Sequence, residues 1–381
     1  METNFLRILN PNENYHFPND TNLYMDNIEI KGYKSIKDAK ITFASINLLI
    51  GANGSGKSNF LSFFEFLNNL YERNLKEYVS LRGGEDKMLH KGSKVTQGIY
   101  SKIKFDRNDY SFEVKQGEDS FIFISEGMWY DGNPFHSNPI NISDLKSEAN
   151  IKSQTGARAN FIKKYLESFK KYHFHDTGRN SSFNSASHIE NDIHYLYEKG
   201  ENLAAFLFNI QRQDQIGYTL IIKTIQSIAP FFSDFYFNPN KEGFVKLQWR
   251  NKYGSTVYGA SDLSDGTMRF IAMSALFLQP KLPTTIIIDE PELGLHPFAI
   301  SKLAGMMQAV SSKKSQVIAA TQSADLINHF TAHDIITVDQ KDGASIFNRL
   351  QEKDLSEWLD DYSLGDLWQR NVIHGGQPNQ V

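Results

Sequence analysis

One short segment constrains the fold of this 381-residue chain more than any other: residues 46–64, INLLIGANGSGKSNFLSFF. Its first five residues are typical of a buried strand. After the glycines, and continuing just past the segment, the apolar residues Phe60, Phe63, Phe64 and Leu67 lie on one face at helical spacing. Three glycines, a lysine and a serine lie between the two parts. A tight strand-to-helix turn alone would explain the glycines, so the interpretation depends on what the rest of the chain supplies.

The segment matches the pattern G-x-x-x-x-G-K-[ST] at Gly51, Gly56, Lys57 and Ser58. Glycines allow backbone N–H groups to turn inward around phosphate oxygens, and the following helix offers its positive N-terminus. Lys57 can reach the β- and γ-phosphates, and the Ser58 hydroxyl can bind Mg²⁺. The pattern therefore predicts a loop that holds a triphosphate. The residues predicted to contact the nucleotide are Asn53, Gly54, Ser55, Gly56, Lys57, Ser58 and Asn59.

A phosphate loop needs a carboxylate for its metal ion, and the segment TTIIIDEPELGLHP supplies one. Three consecutive isoleucines are typical of a central parallel strand, which would end at Asp289 and Glu290. We expect Asp289 to hold Mg²⁺ and Glu290 to polarise the water that attacks the γ-phosphate. An acidic pair here could also be an ordinary turn, but the phosphate loop favours the catalytic interpretation.

A second anion site is predicted where Leu263–Thr267 precede an apolar helix, because free amides lie at helix N-termini. The chain already has one phosphate loop, so this site is expected to serve a different nucleotide. A two-fold dimer meets this condition if Ser264 and Gly266 of one subunit close over the γ-phosphate held by the other. The alternative is that Ser264 is an ordinary N-cap.

Composition excludes several classes of protein. The absence of cysteine excludes disulfides, thiolate metal sites and cysteine nucleophiles. No apolar run is long enough to span a membrane, and the N-terminus lacks the features of a signal peptide, so a cytoplasmic protein is expected. Net charge is −4, yet basic residues concentrate in residues 151–180. A solvated helical face is the simplest interpretation of that segment, and a contact with DNA or a partner protein is the alternative.

Hydrophobic periodicity divides the chain. Apolar strands alternate with helices in the last third, which indicates a parallel sheet covered on both faces, and antiparallel strands are expected before residue 131. Helices are predicted over 157–172, 192–211 and 218–232, with a mobile loop at 175–188. None of the predicted helices has a sustained heptad pattern, so a coiled-coil arm is not expected. The predicted divisions are a polar extension at 1–24, an N-terminal lobe at 25–145, a helical insertion at 146–235 and a C-terminal lobe at 236–381.

In this order, the motifs GANGSGKSN, LSDGTMRF, IIIDEPELGLHP and IAATQS resemble those of the ABC-class ATPases of the RecF, SMC and OLD group, and most of all its compact stand-alone bacterial members. The resemblance covers nearly the whole chain from about residue 25, including GYKSIKD, RGGEDKMLHKG and KYHFHDTG. It implies an α/β fold, an ABC-type ATPase head with a parallel P-loop core sheet, an antiparallel β subdomain and a helical insertion. It also implies a homodimer that closes around two ATP molecules with Mg²⁺.

The resemblance also implies roles for further residues. Arg269 would join the contacts made across the dimer, and Leu293–His296 would cross its interface. Lys34 would lie near the ribose or phosphates. Gln322 takes the position where many relatives have a histidine that touches the γ-phosphate; glutamine forms hydrogen bonds but carries no proton, so slow or gated hydrolysis is expected. Gln97 is the nearest candidate for the Mg²⁺-sensing glutamine and is not assigned to that role.

The remaining candidates have simpler interpretations. His173, His175 and Asp176 carry metal-ligating groups, although packing and surface roles are more common for such residues. Trp249 and Trp368 are expected in the core.

The predicted function is that of an MgATP-hydrolysing sensor subunit in a bacterial phage-defence complex. The chain ends about 60 residues after TQS, so a nuclease or toxin-like effector is expected to be a separate protein. The alternatives are a RecF-like DNA-repair clamp and a nucleotide-gated assembly module with negligible turnover.

Overall fold

The computed structural model describes residues 24–118, 120–131, 140–142, 145–178, 181–313, 315–359 and 361–373. The predicted polar extension lies outside these ranges except for Tyr24, whose hydroxyl donates to the Ser311 carbonyl. The sequence GGQP near the C-terminus lies outside them as well.

The secondary structure within these ranges comprises strands and helices of very different length. The strands are β1 (Asn27–Tyr33), β2 (Ile36–Thr42), β3 (Ile46–Ile50), β4 (Gly98–Phe105), β5 (Asn108–Gln116), β6 (Phe121–Tyr130), β7 (Ile140–Asn141), β8 (Lys171–Tyr172), β9 (Ser187–His188), β10 (Phe232–Phe235), β11 (Phe244–Val245), β12 (Gln248–Asn251), β13 (Val257–Gly259), β14 (Thr285–Asp289), β15 (Gln316–Thr321), β16 (Ile335–Lys341) and β17 (Ala344–Arg349). The helices are α1 (Lys57–Glu72), α2 (Leu75–Leu81), α3 (Glu85–Met88), α4 (Ala157–Ser168), α5 (Leu203–Gln213), α6 (Gln215–Ile228), α7 (Asp265–Leu278), α8 (Pro297–Ser312), α9 (Ala324–Ile327), α10 (Ser356–Leu359) and α11 (Leu364–Gln369).

The central sheet has the strand order β17-β16-β3-β15-β14-β8, parallel from β16 to β8 with β17 antiparallel at one edge. Alternate residues of β14 face opposite cores: Ile286 and Ile288 pack with α7 and α8, whereas Ile287 packs with α1. A strand buried on both faces must be apolar along its whole length. The predicted parallel sheet with two covered faces is therefore confirmed.

A second sheet is antiparallel, with the order β2-β1-β4-β5-β6-β7. Along β4, buried and half-buried residues alternate, as expected for a strand with one face on a core. That face packs on α1, where Phe66 stacks on Phe112 at a centroid distance of 6.1 Å. The predicted antiparallel strands in this part of the chain are confirmed.

Two of the predicted helices are shorter than expected. The helix predicted over 157–172 ends at Ser168, and β8 follows it. The helix predicted over 192–211 begins only at Leu203. Asn202 explains this difference, because its buried side-chain amide donates to the Asp192 and Tyr195 carbonyls and its Oδ1 accepts from the Tyr197 N–H. These hydrogen bonds hold residues 192–202 in turns rather than in a helix.

The segment predicted to be a mobile loop, residues 175–188, is partly ordered by packing. Phe183 is buried, and β9 pairs with β11. The described residues of this segment, 175–178 and 181–188, are otherwise largely irregular, as a loop is, and their mobility stays a prediction. The buried ring of Phe183 anchors the segment in the core.

The hairpin of β16 and β17 was not predicted, although the sequence contains its turn. Asp342 and Gly343 both adopt positive φ, 53° and 78°, which is the geometry of a type I′ turn and the reason for an Asp-Gly pair. The hairpin matters because β17 carries Ser345 to the phosphate loop.

The four-part division stays a prediction. Within it, Lys171 and Tyr172 belong to the predicted helical insertion yet form the edge strand β8 of the central sheet. Among the described residues, no helix has both the length and the apolar character that crossing a bilayer requires.

Candidate nucleotide site

The loop between β3 and α1 is shaped by close contacts that only glycine allows. A Cβ atom on Gly51 would lie 2.3 Å from the Val338 carbonyl oxygen, and one on Gly56 would lie 2.0 Å from Ser345 Oγ. Gly56 also has φ +112°, a conformation that other residues rarely adopt. The glycines are therefore required by packing as well as by the turn.

Lys57 is 5% exposed, and its ammonium points into the loop. Its Nζ donates to the carbonyls of Gly51 and Ala52 at 2.7 and 3.0 Å. Burial lowers the pKa of Lys57, and the charges of Glu290 and Asp289 oppose that shift. The lysine predicted to reach the phosphates thus lies on the axis of the loop and faces both acidic residues.

Ser55 Oγ is buried without a hydrogen-bond partner among the described residues. No side chain caps the N-terminus of α1, and Asn53, Gly54 and Ser58 are exposed at the loop surface. A buried hydroxyl without a partner costs free energy, and an uncapped helix start is a site for an anion. These features fit a bound phosphate group.

Two serines missed in the sequence analysis support the loop from outside. Ser345 Oγ donates to the Ser55 carbonyl at 2.7 Å and lies within hydrogen-bond distance of Ser35 Oγ, at 2.8 Å. Asn59, predicted to contact the nucleotide, donates instead to Ser35 Oγ at 2.9 Å. Its role in the structure is to tie α1 to this serine pair.

Asp289 lies at the carboxyl end of β14 and forms an ion pair that the sequence did not predict. Its Oδ2 lies 3.1 Å from Nζ of Lys171 on β8, and the two side chains are 10% and 13% exposed. Lys171 lies in the basic segment 151–180, for which the sequence predicts a solvated face or a contact with DNA or a partner protein. The parallel pairing of β8 with β14 places it beside the predicted metal ligand.

Glu290 follows directly and has φ +44°, unusual for a residue with a long side chain. Such a backbone costs about 1–3 kcal/mol and is found mostly at functional sites. Its Oε1 accepts a 2.6 Å hydrogen bond from Gln322 Nε2, and its backbone N–H donates to the Ala320 carbonyl at 2.8 Å. The structure brings together the predicted base and the residue predicted to touch the γ-phosphate.

Glu292 is a further buried acid at this site, missed in the sequence analysis. Its Oε1 accepts from the Thr321 hydroxyl at 2.6 Å and from the Gln322 N–H at 3.2 Å, while Oε2 is buried with no partner among the described residues. Burial raises the pKa of Glu292 against the opposing effect of these hydrogen bonds. Glu292 thereby fixes the backbone that carries Gln322.

Ser264 caps α7, because its Oγ accepts a hydrogen bond from the Thr267 N–H at 3.3 Å. The alternative prediction, that Ser264 is an N-cap, is therefore confirmed, and its predicted contact with a second nucleotide stays a prediction. A Cβ on Gly266 would lie 2.5 Å from the Gly294 carbonyl. Arg269 binds carbonyls of its own chain, Leu293 at 3.0 Å and His175 at 2.8 Å. The start of α7 and the loop after β14 therefore form one surface.

Lys34 lies against α1 rather than inside the loop, with its Nζ donating to Ser62 Oγ at 2.9 Å. Burial, reinforced by the positive charges of Arg82 and Lys171, lowers its pKa to about 8. Gln97 is exposed, and its backbone carbonyl accepts from the Gln116 N–H in the antiparallel sheet. No contact of Gln97 supports a role at the metal.

The rings of His173 and His175 lie 3.8 Å apart, and His175 Nε2 is 3.2 Å from the Asp289 carbonyl oxygen. Burial and the neighbouring positive groups lower the pKa of His173. Within the described ranges, no three histidine or acidic side chains gather as a metal site. Trp249 is buried in the core as predicted, and Trp368 packs partly buried against the C-terminal cluster.

The protein-family model described as "AAA domain, putative AbiEii toxin, Type IV TA system" matches residues 46–328, more than half of the chain and every acidic and phosphate-loop residue described above. The chain belongs to this family of AAA domains. The Old nuclease of Escherichia phage P2 is 21% identical over 374 residues, which cover 87% of this chain and 61% of the nuclease. Chromosome segregation protein sudA of Emericella nidulans is 32% identical over 102 residues, 25% of this chain and 8% of that protein.

This chain thus spans less than two-thirds of each of these two relatives. The solved structure of an SmcHead bound to the C-winged helix domain of ScpA matches with a TM-score of 0.54 at 18% identity, covering 88% of this chain and 99% of that one. The fold is that of an SMC-type head, and the predicted ABC-type ATPase head is confirmed. Membership of the RecF, SMC and OLD group of ABC-class ATPases is confirmed as well.

Proposed function

We propose that this AAA domain binds MgATP, hydrolyses it, and uses a nucleotide-closed homodimer to control a separate effector protein. The main support for this proposal is that Lys57, Asp289 and Glu290 lie together at the carboxyl ends of β3 and β14. Lys57 lies more than 200 residues before the adjacent pair Asp289 and Glu290, and the three types of side chain are those that phosphoryl transfer needs.

The residues present fit nucleotide and metal. The loop amides, Lys57 and Ser55 would hold the phosphates, and Ser58 with Asp289 would hold Mg²⁺. Bound Mg²⁺ supplies neutralisation of the charge on the phosphate oxygens. Glu290 is placed to accept the proton of the attacking water, because its carboxylate lies beside the loop and faces the charge of Lys57.

Gln322 acts on Glu290 as a positioning residue. Its 2.6 Å hydrogen bond holds one carboxylate oxygen of Glu290. Glu292 sets the position of Gln322 in turn. Because glutamine carries no proton, this arrangement supports the expectation of slow or gated hydrolysis.

The exposed surface around the start of α7 supports the dimer. Gly266 touches the Gly294 loop, Leu293 is 41% exposed and Phe298 is 51% exposed. Large apolar side chains exposed next to a predicted anion site are suited to a partner subunit. Ser264 and Gly266 would then face the nucleotide held by the other subunit.

The link to a nuclease or toxin-like activity in phage defence is supported by two names: the family description and the Old nuclease relative. That the effector is a separate protein stays a prediction. The alternative of a DNA clamp is less favoured, because basic residues of segment 151–180 already have partners within the chain. Lys152 pairs with Glu72, Lys171 with Asp289, and Lys170 lies 3.1 Å from the centroid of the Tyr195 ring. These three lysines thus interact with other residues of the same chain. A DNA contact through residues 151–180 stays a prediction.

The test compares Glu290→Gln with Lys57→Ala in the full chain. We expect wild type to release phosphate from MgATP, Glu290→Gln to form dimers on adding ATP, and Lys57→Ala to do neither, as measured by phosphate release and by light scattering on a sizing column. Absence of both ATP binding and phosphate release in wild type would refute the proposal. ATP-dependent dimers without turnover would instead support the assembly module.

A pull-down of tagged Glu290→Gln from its native host addresses the partner, with Lys57→Ala as the matched control. Mass spectrometry should identify a nuclease or toxin-like protein with Glu290→Gln only. Nucleic acid alone, without a stoichiometric protein, would favour the DNA-clamp alternative.

A further inference from the structure

The ion pair between Lys171 and Asp289 places an ammonium where the proposed function needs a metal ion. Lys171 Nζ lies 3.1 Å from Asp289 Oδ2, and both side chains are close to nine-tenths buried. In such surroundings a carboxylate and an ammonium attract each other more strongly than in water. A divalent cation bound to the same oxygen of Asp289 would repel the Lys171 ammonium. Binding of the cation and the ion pair with Lys171 therefore compete.

The structure offers Lys171 another position. A cleft of about 210 Å³ adjoins the ion pair and is lined by Lys171 together with Glu65, Arg82, Lys170 and Glu198. Glu65 is already bound to Arg82, at 3.1 Å. Glu198 is the second acid in the cleft, and its carbonyl accepts from the His173 N–H, two residues after Lys171. Lys171 thus pairs with Asp289 and also lines a cleft that contains two further acids, Glu65 and Glu198.

Lys171 and Glu198 are both in the predicted helical insertion, whereas Asp289 ends the central strand β14. A lysine that moves from Asp289 to Glu198 would therefore transfer a charge from the nucleotide site to the insertion. The edge strand β8 is only two residues long, so its side chains can change partner with little disturbance of the sheet.

We propose that Lys171 is a displaceable counter-ion of Asp289, which a divalent cation replaces and which then pairs with Glu198 in the cleft. The inference rests on the proposed function, because the cation is the one that accompanies ATP. Its consequence is that the helical insertion responds to occupation of the metal site, independently of hydrolysis.

The test measures the Mg²⁺ concentration that gives half-maximal ATP binding, by calorimetry on the full chain carrying Glu290→Gln so that ATP is not consumed. Adding Lys171→Met should lower this concentration about tenfold, because the competitor is gone. Lys223→Met, which removes an exposed lysine of α6 outside the cleft, is the matched control and should leave it unchanged. Glu198→Gln should raise it, since the displaced ammonium loses its second partner.

A second readout is thermal unfolding without nucleotide. Lys171→Met should unfold at a lower temperature than Lys223→Met when Mg²⁺ is chelated, because Asp289 loses its counter-ion. Added Mg²⁺ should narrow this difference in unfolding temperature. If Lys171→Met is too unstable to purify, Glu198→Gln alone tests the proposal.

An unchanged or higher Mg²⁺ requirement in Lys171→Met would overturn the inference and make Lys171 a structural partner of Asp289. An unchanged Mg²⁺ requirement in Glu198→Gln would refute the proposed pairing of the displaced Lys171 with Glu198. Failure of the Glu290→Gln parent to bind ATP at any Mg²⁺ concentration would refute the proposed function instead.

Discussion

Single atoms decide whether the phosphate loop keeps its shape, and Gly56 with Gly54 provides a matched comparison. Both have positive φ, +112° and +80°, but a Cβ on Gly56 would lie 2.0 Å from Ser345 Oγ, whereas one on Gly54 has nothing within 4 Å. We expect Gly54→Ala to cost about 1 kcal/mol from the backbone alone and Gly56→Ala about 3 kcal/mol from backbone and overlap together. Denaturant unfolding measures both; equal losses would show that the Ser345 contact does not constrain the loop.

Glu292 makes the stability depend on pH in a defined direction. Its pKa is raised above the ordinary value of 4.5 because the carboxyl is buried. The folded state therefore binds the proton more tightly than the unfolded state, and stability falls as pH rises from the unfolded pKa through the folded one. In Glu292→Gln this dependence is absent, so the free energy of unfolding of the variant should gain on wild type as pH increases above 4.5. Parallel curves for the two proteins would contradict the shift.

At the scale of residues, the sequence predicts which residues form the candidate site better than it predicts their contacts. Lys57, Asp289 and Glu290 could be placed because each lies in a local pattern with a known use. Lys171 and Glu292 could not, since their partners are set by β-strand pairing and by burial, which no local pattern records. A lysine in a basic segment looks the same in sequence whether it faces solvent or a buried aspartate.

At the scale of elements, Asn202 shows how one buried amide sets where a helix begins. The side chain is fully buried and makes three hydrogen bonds to the backbone of residues 192–197. Asn202→Ala would leave these groups without partners and should lower the free energy of unfolding by about 3 kcal/mol. Asn209→Ala, on α5 without such contacts, should change it by less than about 0.5 kcal/mol. Thermal or denaturant unfolding distinguishes the two, and a loss in both would assign the effect to the helix itself.

Long elements could be predicted from periodicity and short ones could not. Helices α1, α7 and α8 and the apolar strands follow from patterns of five or more residues. Strands β8 and β9 have two residues each, too few for any period, and exist because a neighbouring strand pairs with them. The β16–β17 hairpin was not predicted, but it could have been, because its Asp-Gly turn is visible in the sequence.

At the scale of the whole molecule, the exposed surface around Phe298 and Leu293 tests the dimer. Phe298→Arg should abolish ATP-dependent dimers in the Glu290→Gln background while leaving the fold intact, because Phe298 is 51% exposed and an added charge is repelled from an apolar interface. Ile124→Arg, at a residue 42% exposed on the antiparallel sheet, is the control. Light scattering gives the mass of each; dimers that persist in Phe298→Arg would place the interface elsewhere.

The support of the phosphate loop by Ser345 has a consequence for synthesis of the chain. The loop leaves the ribosome early, but the hydroxyl that holds the Ser55 carbonyl is 290 residues further on, and β3 finds its neighbours β15 and β16 only near the end. Such long-range contacts form late. The nascent polypeptide therefore carries the complete loop sequence for most of its translation without the scaffold that shapes it. Under the proposed function, a message cut short before β17 would yield a chain that keeps the motif but does not hold ATP.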